Sequence, residues 1–222
     1  MSTTDHLLPI RLLHDAVRIE YGRLAVAARA PRDAEHAALI DDHIHLTLRA
    51  LHHHHTSEDT HFWPVLRARA PRAVAGLDRL EAQHAEIDPL VAIADDTTIP
   101  LPARAGALAE LHRLINTHLD DEESIAFPLL LEHLTDVEFA RIDEEVRRGF
   151  DRRDIPKLYG WLASTADAPL RAAVLATVPL VPRTLLRLFW APAHQRRAGR
   201  VYAGIEVPGT TAQVRPAAHR AA

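Results

Sequence analysis

Apolar residues recur three and four positions apart in four segments of the chain, a spacing typical of amphipathic helices. The four stripes cover residues 7–28, 44–65, 77–94 and 108–129. Each stripe is apolar except at a few positions, where a histidine or a glutamate stands on the core-facing line. The pattern predicts four helices that bury their apolar faces against one another.

Breaks that contain proline separate these stripes at residues 31–33, 69–72 and 95–102. Proline ends or starts helices at such points because it lacks the backbone N–H and restricts the residue before it. Short connections make consecutive helices antiparallel neighbours. We therefore predict an all-α fold, an up-down-up-down antiparallel four-helix bundle with additional C-terminal helices.

The repeated pattern of apolar stripes with histidine and glutamate ends near residue 130. Thr135 and Glu138 form a capping-box pattern that predicts a fifth helix. We assign residues 1–150 to the bundle and this fifth helix, residues 151–195 to a helical C-terminal extension, and residues 196–222 to a flexible tail.

Two segments repeat each other at an offset of 64 residues: 54–66 reads HHTSEDTHFWPVL, and 118–130 reads HLDDEESIAFPLL. Each begins with the spacing H-x-x-x-E, which puts an imidazole and a carboxylate on one face of a helix, one turn apart. The helix before each segment carries a lone histidine on its core-facing line, His14 or His84. The sequence therefore contains an internal repeat of a helix pair.

The predicted turns place these histidines at one level of the bundle. Side chains at equal height in an antiparallel hairpin lie equally far from its turn. The midpoints of His14–His54, His54–His84 and His84–His118 are residues 34, 69 and 101, at or beside the three breaks. A lone core histidine is usually a packing residue, but a buried carboxylate without a partner is costly. Four histidines and two glutamates at one level favour a metal site, with these residues as ligands: His14, His54, Glu58, His84, His118 and Glu122.

Several neighbouring residues have alternative interpretations. His55-x-x-x-Asp59 is a competing register, and His55 could reach a metal from the flank. Asp88 is either an extra ligand or a hydrogen-bond acceptor for a ligand imidazole. His61 and Tyr21 either support the ligands or simply pack. Asp59 and Glu123 are expected to face outward, and five further histidines are expected at the surface: His36, His43, His45, His112 and His133.

Composition narrows the chemistry further. The chain has no cysteine, which excludes disulfides, iron–sulfur clusters and thiolate catalysis. Its net charge of −4 gives no indication of nucleic-acid binding. The N-terminal segment lacks the apolar core of a signal peptide, and the apolar stretch at 172–182 is too short to span a bilayer. We expect a cytoplasmic protein without a transmembrane segment, whose C-terminal region either caps the bundle or contacts a protein partner or a membrane surface.

The arrangement H … HxxxE … H … HxxxE resembles the hemerythrin-like (HHE cation-binding) family over roughly residues 5–150. The resemblance implies a non-haem di-iron centre, two ions per chain, with His14, His54, His84 and His118 as terminal ligands and Glu58 and Glu122 as bridges. It is compatible with an oxo or hydroxo bridge between the irons. The oxygen-carrying members have H-x-x-x-H on the third helix and H-x-x-x-x-D on the fourth, so this chain matches the H-HxxxE-H-HxxxE subgroup instead.

Imidazole and carboxylate ligands without thiolate suit iron or manganese and admit zinc. The leading hypothesis is a protein that binds or reacts with oxygen, nitric oxide or peroxide. The alternatives are a di-iron enzyme of the catalase or peroxidase type, and a structural or storage bundle held together by its ions.

Overall fold

The computed structural model of the protein describes residues 6–205, which contain helices and no β-strand. The first part of the chain forms five helices: α1 (Leu8–Arg29), α2 (Ala34–Ser57), α3 (Trp63–Arg69), α4 (Val74–Asp95) and α5 (Leu101–His133). A π-helical segment, Glu58–Phe62, joins α2 to α3. A 3-10 turn, Pro71–Ala73, precedes α4. The all-α prediction is confirmed.

The helix boundaries follow from capping and proline. The Asp33 carboxylate accepts a hydrogen bond of 2.7 Å from the backbone N–H of His36, which caps the start of α2. Pro100 precedes α5, where the fixed backbone angle of proline suits a helix start. The three breaks predicted from the sequence therefore lie between helices.

Four helical rods share one core. Helix α5 packs along α1 and α4, and α2 packs against the same two helices. The chain is thus a helical bundle, and the strict alternation of helix direction remains a prediction. Its buried apolar residues form two clusters. The large core includes Tyr21, Leu24, Ile44 and Leu108, and the small core includes Leu7, Phe62, Trp63, Leu66 and Leu80.

Five further helices follow the bundle: α6 (Asp136–Gly149), α7 (Ile155–Thr165), α8 (Ala168–Thr177), α9 (Leu180–Leu185) and α10 (Ala191–Val201). The capping box at Thr135 and Glu138 is present at the start of α6, as predicted. A second π-helical segment, Leu186–Trp190, joins α9 to α10.

The C-terminal helices partly cap the bundle. Helices α7 and α10 pack against each other, and both contact α2. Trp161, Val201 and Tyr202 complete the large core. Residues 196–201 of the predicted tail belong to α10, and residues 206–222 of that tail lie outside the described residues. Within residues 6–205, none of the helices has the length and apolar character needed to cross a membrane.

Candidate metal centre

The internal repeat found in the sequence is also present in the packing. Within the repeated segments 54–66 and 118–130, six positions are buried in both halves: 54/118, 55/119, 58/122, 62/126, 63/127 and 66/130. The side chains at one of these positions differ in their ability to bind a metal: the first half has His55 where the second has the apolar Leu119. The two halves therefore bury the same positions, and the first half adds one imidazole to them.

The four predicted histidines meet as two pairs. Nε2 of His14 lies 3.2 Å from Nε2 of His54. Nε2 of His84 lies 3.2 Å from Nε2 of His118. Two nitrogens held at right angles about 2.1 Å from one transition-metal ion lie about 3 Å apart, so the separation in each pair suits a shared ion.

Two buried glutamates lie between the pairs. Oε1 of Glu58 is 3.3 Å from Nε2 of His54, whereas Oε2 is 3.4 Å from Nε2 of His84. Glu122 Oε2 is 3.3 Å from Nε2 of His14 and 3.7 Å from Nε2 of His118. Each carboxylate therefore contacts both imidazole pairs.

His55 adds a third imidazole to the second pair. Its ring stacks on that of His84, with centroids 4.0 Å apart and an interplanar angle of 14°. Donor atoms of His55, His84 and His118 lie within 4.8 Å of one another, as do those of His14, His54, Glu58 and Glu122. The arrangement is therefore asymmetric, with two imidazoles in one group and three in the other.

The far sides of three imidazoles face oxygen acceptors. Nδ1 of His14 is 3.1 Å from the Glu123 carboxylate, and Nδ1 of His84 is 3.1 Å from the Asp59 carboxylate. Nδ1 of His118 is 3.0 Å from the side-chain oxygen of Gln83. Because a neutral imidazole carries one proton, these acceptors favour Nδ1–H and leave the Nε2 lone pair directed at the centre. Asp59 and Glu123, expected to face outward without a role, thus support the histidines.

These donors fit a cation. Nδ1 of both His84 and His118 faces an acceptor, so the Nε2 lone pairs of these two rings face each other at 3.2 Å and repel unless a positive charge lies between them. Among residues 6–205, the Nε2 atom of His55 and three glutamate oxygens, Glu58 Oε2 and both of Glu122, are buried without a hydrogen-bond partner. Buried polar atoms are normally paired, so these atoms call for an additional partner.

Burial also sets the charge states. It lowers the pKa of His118 to about 3 and holds that of His55 well below its ordinary value. Burial and the neighbouring Glu122 raise the pKa of Glu58 well above its ordinary value. Burial opposes ionisation of Glu122 too, but His14, His54 and Glu58 together outweigh it and the pKa of Glu122 is lowered. Neutral imidazoles are the form that binds metal.

A model of the hemerythrin HHE cation binding domain matches residues 9–130, more than half of the chain. The chain belongs to this family. No curated protein and no solved structure matches the chain. The matched residues contain α2 to α4 and almost all of α1 and α5, so all six predicted ligands and His55 lie inside the HHE domain.

Three residues that the sequence suggested as further ligands or as supports for the ligands belong to neither donor group. Asp88 is exposed and is a member of neither donor group, and the acceptor near His84 is Asp59. His61 faces outward, 3.4 Å from Glu145 of α6, because the inward position in the π-helical segment belongs to Phe62. The Tyr21 hydroxyl donates to the Thr47 carbonyl at 3.1 Å, inside the large core. His61 therefore contacts α6, and Tyr21 is part of the core packing.

The structure contains a second buried polar cluster, which was not predicted from the sequence. The Glu20 carboxylate accepts hydrogen bonds from His43 Nε2 at 2.7 Å, from Trp161 Nε1 at 3.1 Å and from the Tyr202 hydroxyl. Burial opposes its ionisation, but the bond from His43 leads the effects that lower the pKa of Glu20 to about 2. This cluster fastens the C-terminal helices to the HHE domain.

Two histidines expected at the surface, His36 and His43, are buried. The sequence could not reveal this, because residues from the C-terminal helices cover both rings: the Val201 carbonyl lies 2.8 Å from Nε2 of His36, and the ring of Tyr202 packs against that of His43. His45, His112 and His133 are at least partly accessible, in line with the expectation.

Proposed function

We propose that this HHE protein holds two iron ions and binds or reacts with a small oxidant or gas, such as oxygen, nitric oxide or peroxide. The supporting observation is the pair of donor groups, joined by two buried glutamates, three of whose four carboxylate oxygens lack a hydrogen-bond partner among residues 6–205. Imidazole and carboxylate donors suit iron, and manganese or zinc could substitute.

The distances suggest which residues would hold each ion. His14 and His54 would bind one ion, and His84 and His118 would bind the other, with His55 as a third imidazole. Glu58 and Glu122 would bridge, because each contacts both histidine pairs. The bound pair would supply electron-transfer chemistry toward a small ligand.

The protein itself would orient and desolvate the centre. Glu123, Asp59 and Gln83 hold three of the imidazoles in the tautomer that offers Nε2. The ring of Phe127 packs 5.5 Å from that of His14 and shields it from water. These contacts make the donor set rigid and keep its carboxylates in a dry environment.

The His55 imidazole helps to distinguish binding of a small ligand from the catalase-type and structural alternatives. An ion held by two imidazoles and two carboxylates would keep two of six positions for outside ligands, whereas His55 would leave the ion at His84 and His118 with only one. This asymmetry favours a small ligand on the ion at His14 and His54. It argues against the alternative, a catalase-type enzyme in which both ions cycle equally. A structural or storage role needs no open position at all.

The test is elemental analysis and reactivity of protein produced with iron available. We expect about two iron ions per chain, and an optical spectrum that changes when nitric oxide or peroxide is added. Protein loaded with zinc is the matched control. One ion or none per chain would overturn the metal assignment. Two ions with no spectral response would leave the structural or storage role, and rapid oxygen release from peroxide by the iron form alone would favour the catalase alternative.

A further inference from the structure

The segment formed by α9 and the following π-helical turn presents apolar side chains to solvent. Leu180 is 73% exposed, Val181 70%, Leu188 64% and Phe189 60%. Leu185 is also exposed, one helical turn after Val181. These five residues within ten positions of the chain are called the apolar patch. Contiguous exposed apolar surface on a protein usually marks a contact with another phase or molecule.

The surroundings of the apolar patch are positively charged. From residue 168 to residue 205 the sequence has six arginines and no aspartate or glutamate, although the whole chain has a net charge of −4. Arg197 and Arg200 pair with acids of α2. The side chains of Arg183 and Arg187, one helical turn apart beside the apolar patch, have no hydrogen bond or ion pair within residues 6–205; Arg187 is exposed and Arg183 is partly buried.

We propose that the apolar patch and its flanking arginines dock the protein on an anionic phospholipid surface. Interfacial helices combine leucine and aromatic residues with basic residues, and anionic headgroups attract those basic residues. The segment from Leu180 to Trp190 is far too short to cross a bilayer, so it lies along the interface.

The side chains favour lipid over a protein partner. Between residues 178 and 190 the only polar side chains are those of Thr184 and the two arginines. Unpaired guanidinium donors with no acid among them suit the phosphate oxygens of anionic headgroups.

Flotation of the full-length, metal-loaded protein with vesicles tests this docking. We expect binding to vesicles that contain phosphatidylglycerol, weak binding to pure phosphatidylcholine, and loss of binding in high salt. Replacing Arg183 and Arg187 by Gln should weaken partitioning roughly fivefold per arginine. Leu188→Asp should weaken it about tenfold or more.

Matched controls are available on α6. Val137→Asp changes a valine that is 79% exposed outside the patch, and Arg141→Gln changes an exposed arginine. Both should bind vesicles like the original protein. Equal loss from Leu188→Asp and Val137→Asp would overturn the proposal, as would no vesicle binding at all. Self-association that Leu188→Asp abolishes, without vesicle binding, would instead assign the surface to contact between two copies.

Discussion

The Asp59 carboxylate lies 3.1 Å from Nδ1 of His84, while Nε2 of the same imidazole faces Glu58 at 3.4 Å. Adjacent residues of one segment thus contact opposite sides of one ring. Glu122 and Glu123 have the same relationship to His14 in the other half. The repeat therefore duplicates the support of the histidines as well as the proposed ligands.

We predict that Asp59→Ala and Glu123→Ala each weaken metal binding by about 10–100-fold, as is common when a carboxylate that orients a ligand histidine is lost. Competition with a metal chelator would measure the affinity. Asp88→Ala is the control, because Asp88 is an exposed carboxylate one turn after His84. If all three variants bind metal equally, these hydrogen bonds have no role in binding.

The bridging assignment predicts opposite effects with and without metal. Glu58→Gln removes a buried carboxylate whose ionisation burial disfavours, so the melting temperature of the metal-free protein should stay the same or rise. In the iron-loaded protein it should fall, because weaker binding reduces the stabilisation by ligand. Differential scanning calorimetry of both forms would show this. The exposed Glu86→Gln should change neither, and a variant Glu58→Gln that keeps two irons at full affinity would contradict the assignment.

Replacing His55 by Leu recreates in the first half the residue found at position 119. We expect the symmetric variant to bind two ions, one of them about tenfold or more weakly, because the group at His84 and His118 loses an imidazole. Stepwise metal titration would resolve the two affinities. His52→Leu is the control from the same run of histidines, since His52 is exposed. Equal titrations for the two variants would make His55 a packing residue.

The Glu20 cluster predicts acid sensitivity. The pKa of Glu20 is about 2, below the ordinary value of 4.5. The ionised Glu20 carboxylate therefore contributes fully to the free energy of unfolding above pH 4.5, and this contribution is lost as the pH falls toward 2. The effect is on the order of 3 kcal/mol. Urea unfolding of metal-free protein at several pH values should show that Glu20→Gln lowers stability at pH 6 and flattens the loss below pH 4.5. A pH-independent difference would contradict this, and the exposed Glu35→Gln serves as control.

Local periodicity was enough to predict the helices. Apolar spacing and proline breaks act within one or two helical turns, so the boundaries near Asp33 and Pro100 could be read directly from the sequence. The offset of 64 residues between His54 and His118 then implied a duplicated site. The equal distances of the histidines from their turns explain why their convergence was predictable from the sequence.

The direction in which each side chain of a helix points could be learned only from the tertiary structure. The sequence does not indicate that residues 58–62 form a π-helical segment, or that Asp59 reaches back to His84 while His61 points to α6. Position 55 is similar, since only packing against α4 and α5 brings its imidazole to His84 and His118.

The sequence by itself determined the all-α fold, the HHE motif and its six histidines and glutamates, because these depend on spacing along single helices. Only the tertiary structure decided which side chains support them and how the C-terminal helices attach. Glu20 and Tyr202 are separated by 182 positions, and a hydrogen bond between such distant residues leaves no periodic signal in the sequence. It arises from the packing of α7 and α10 against the bundle, which buries the carboxylate and supplies its donors.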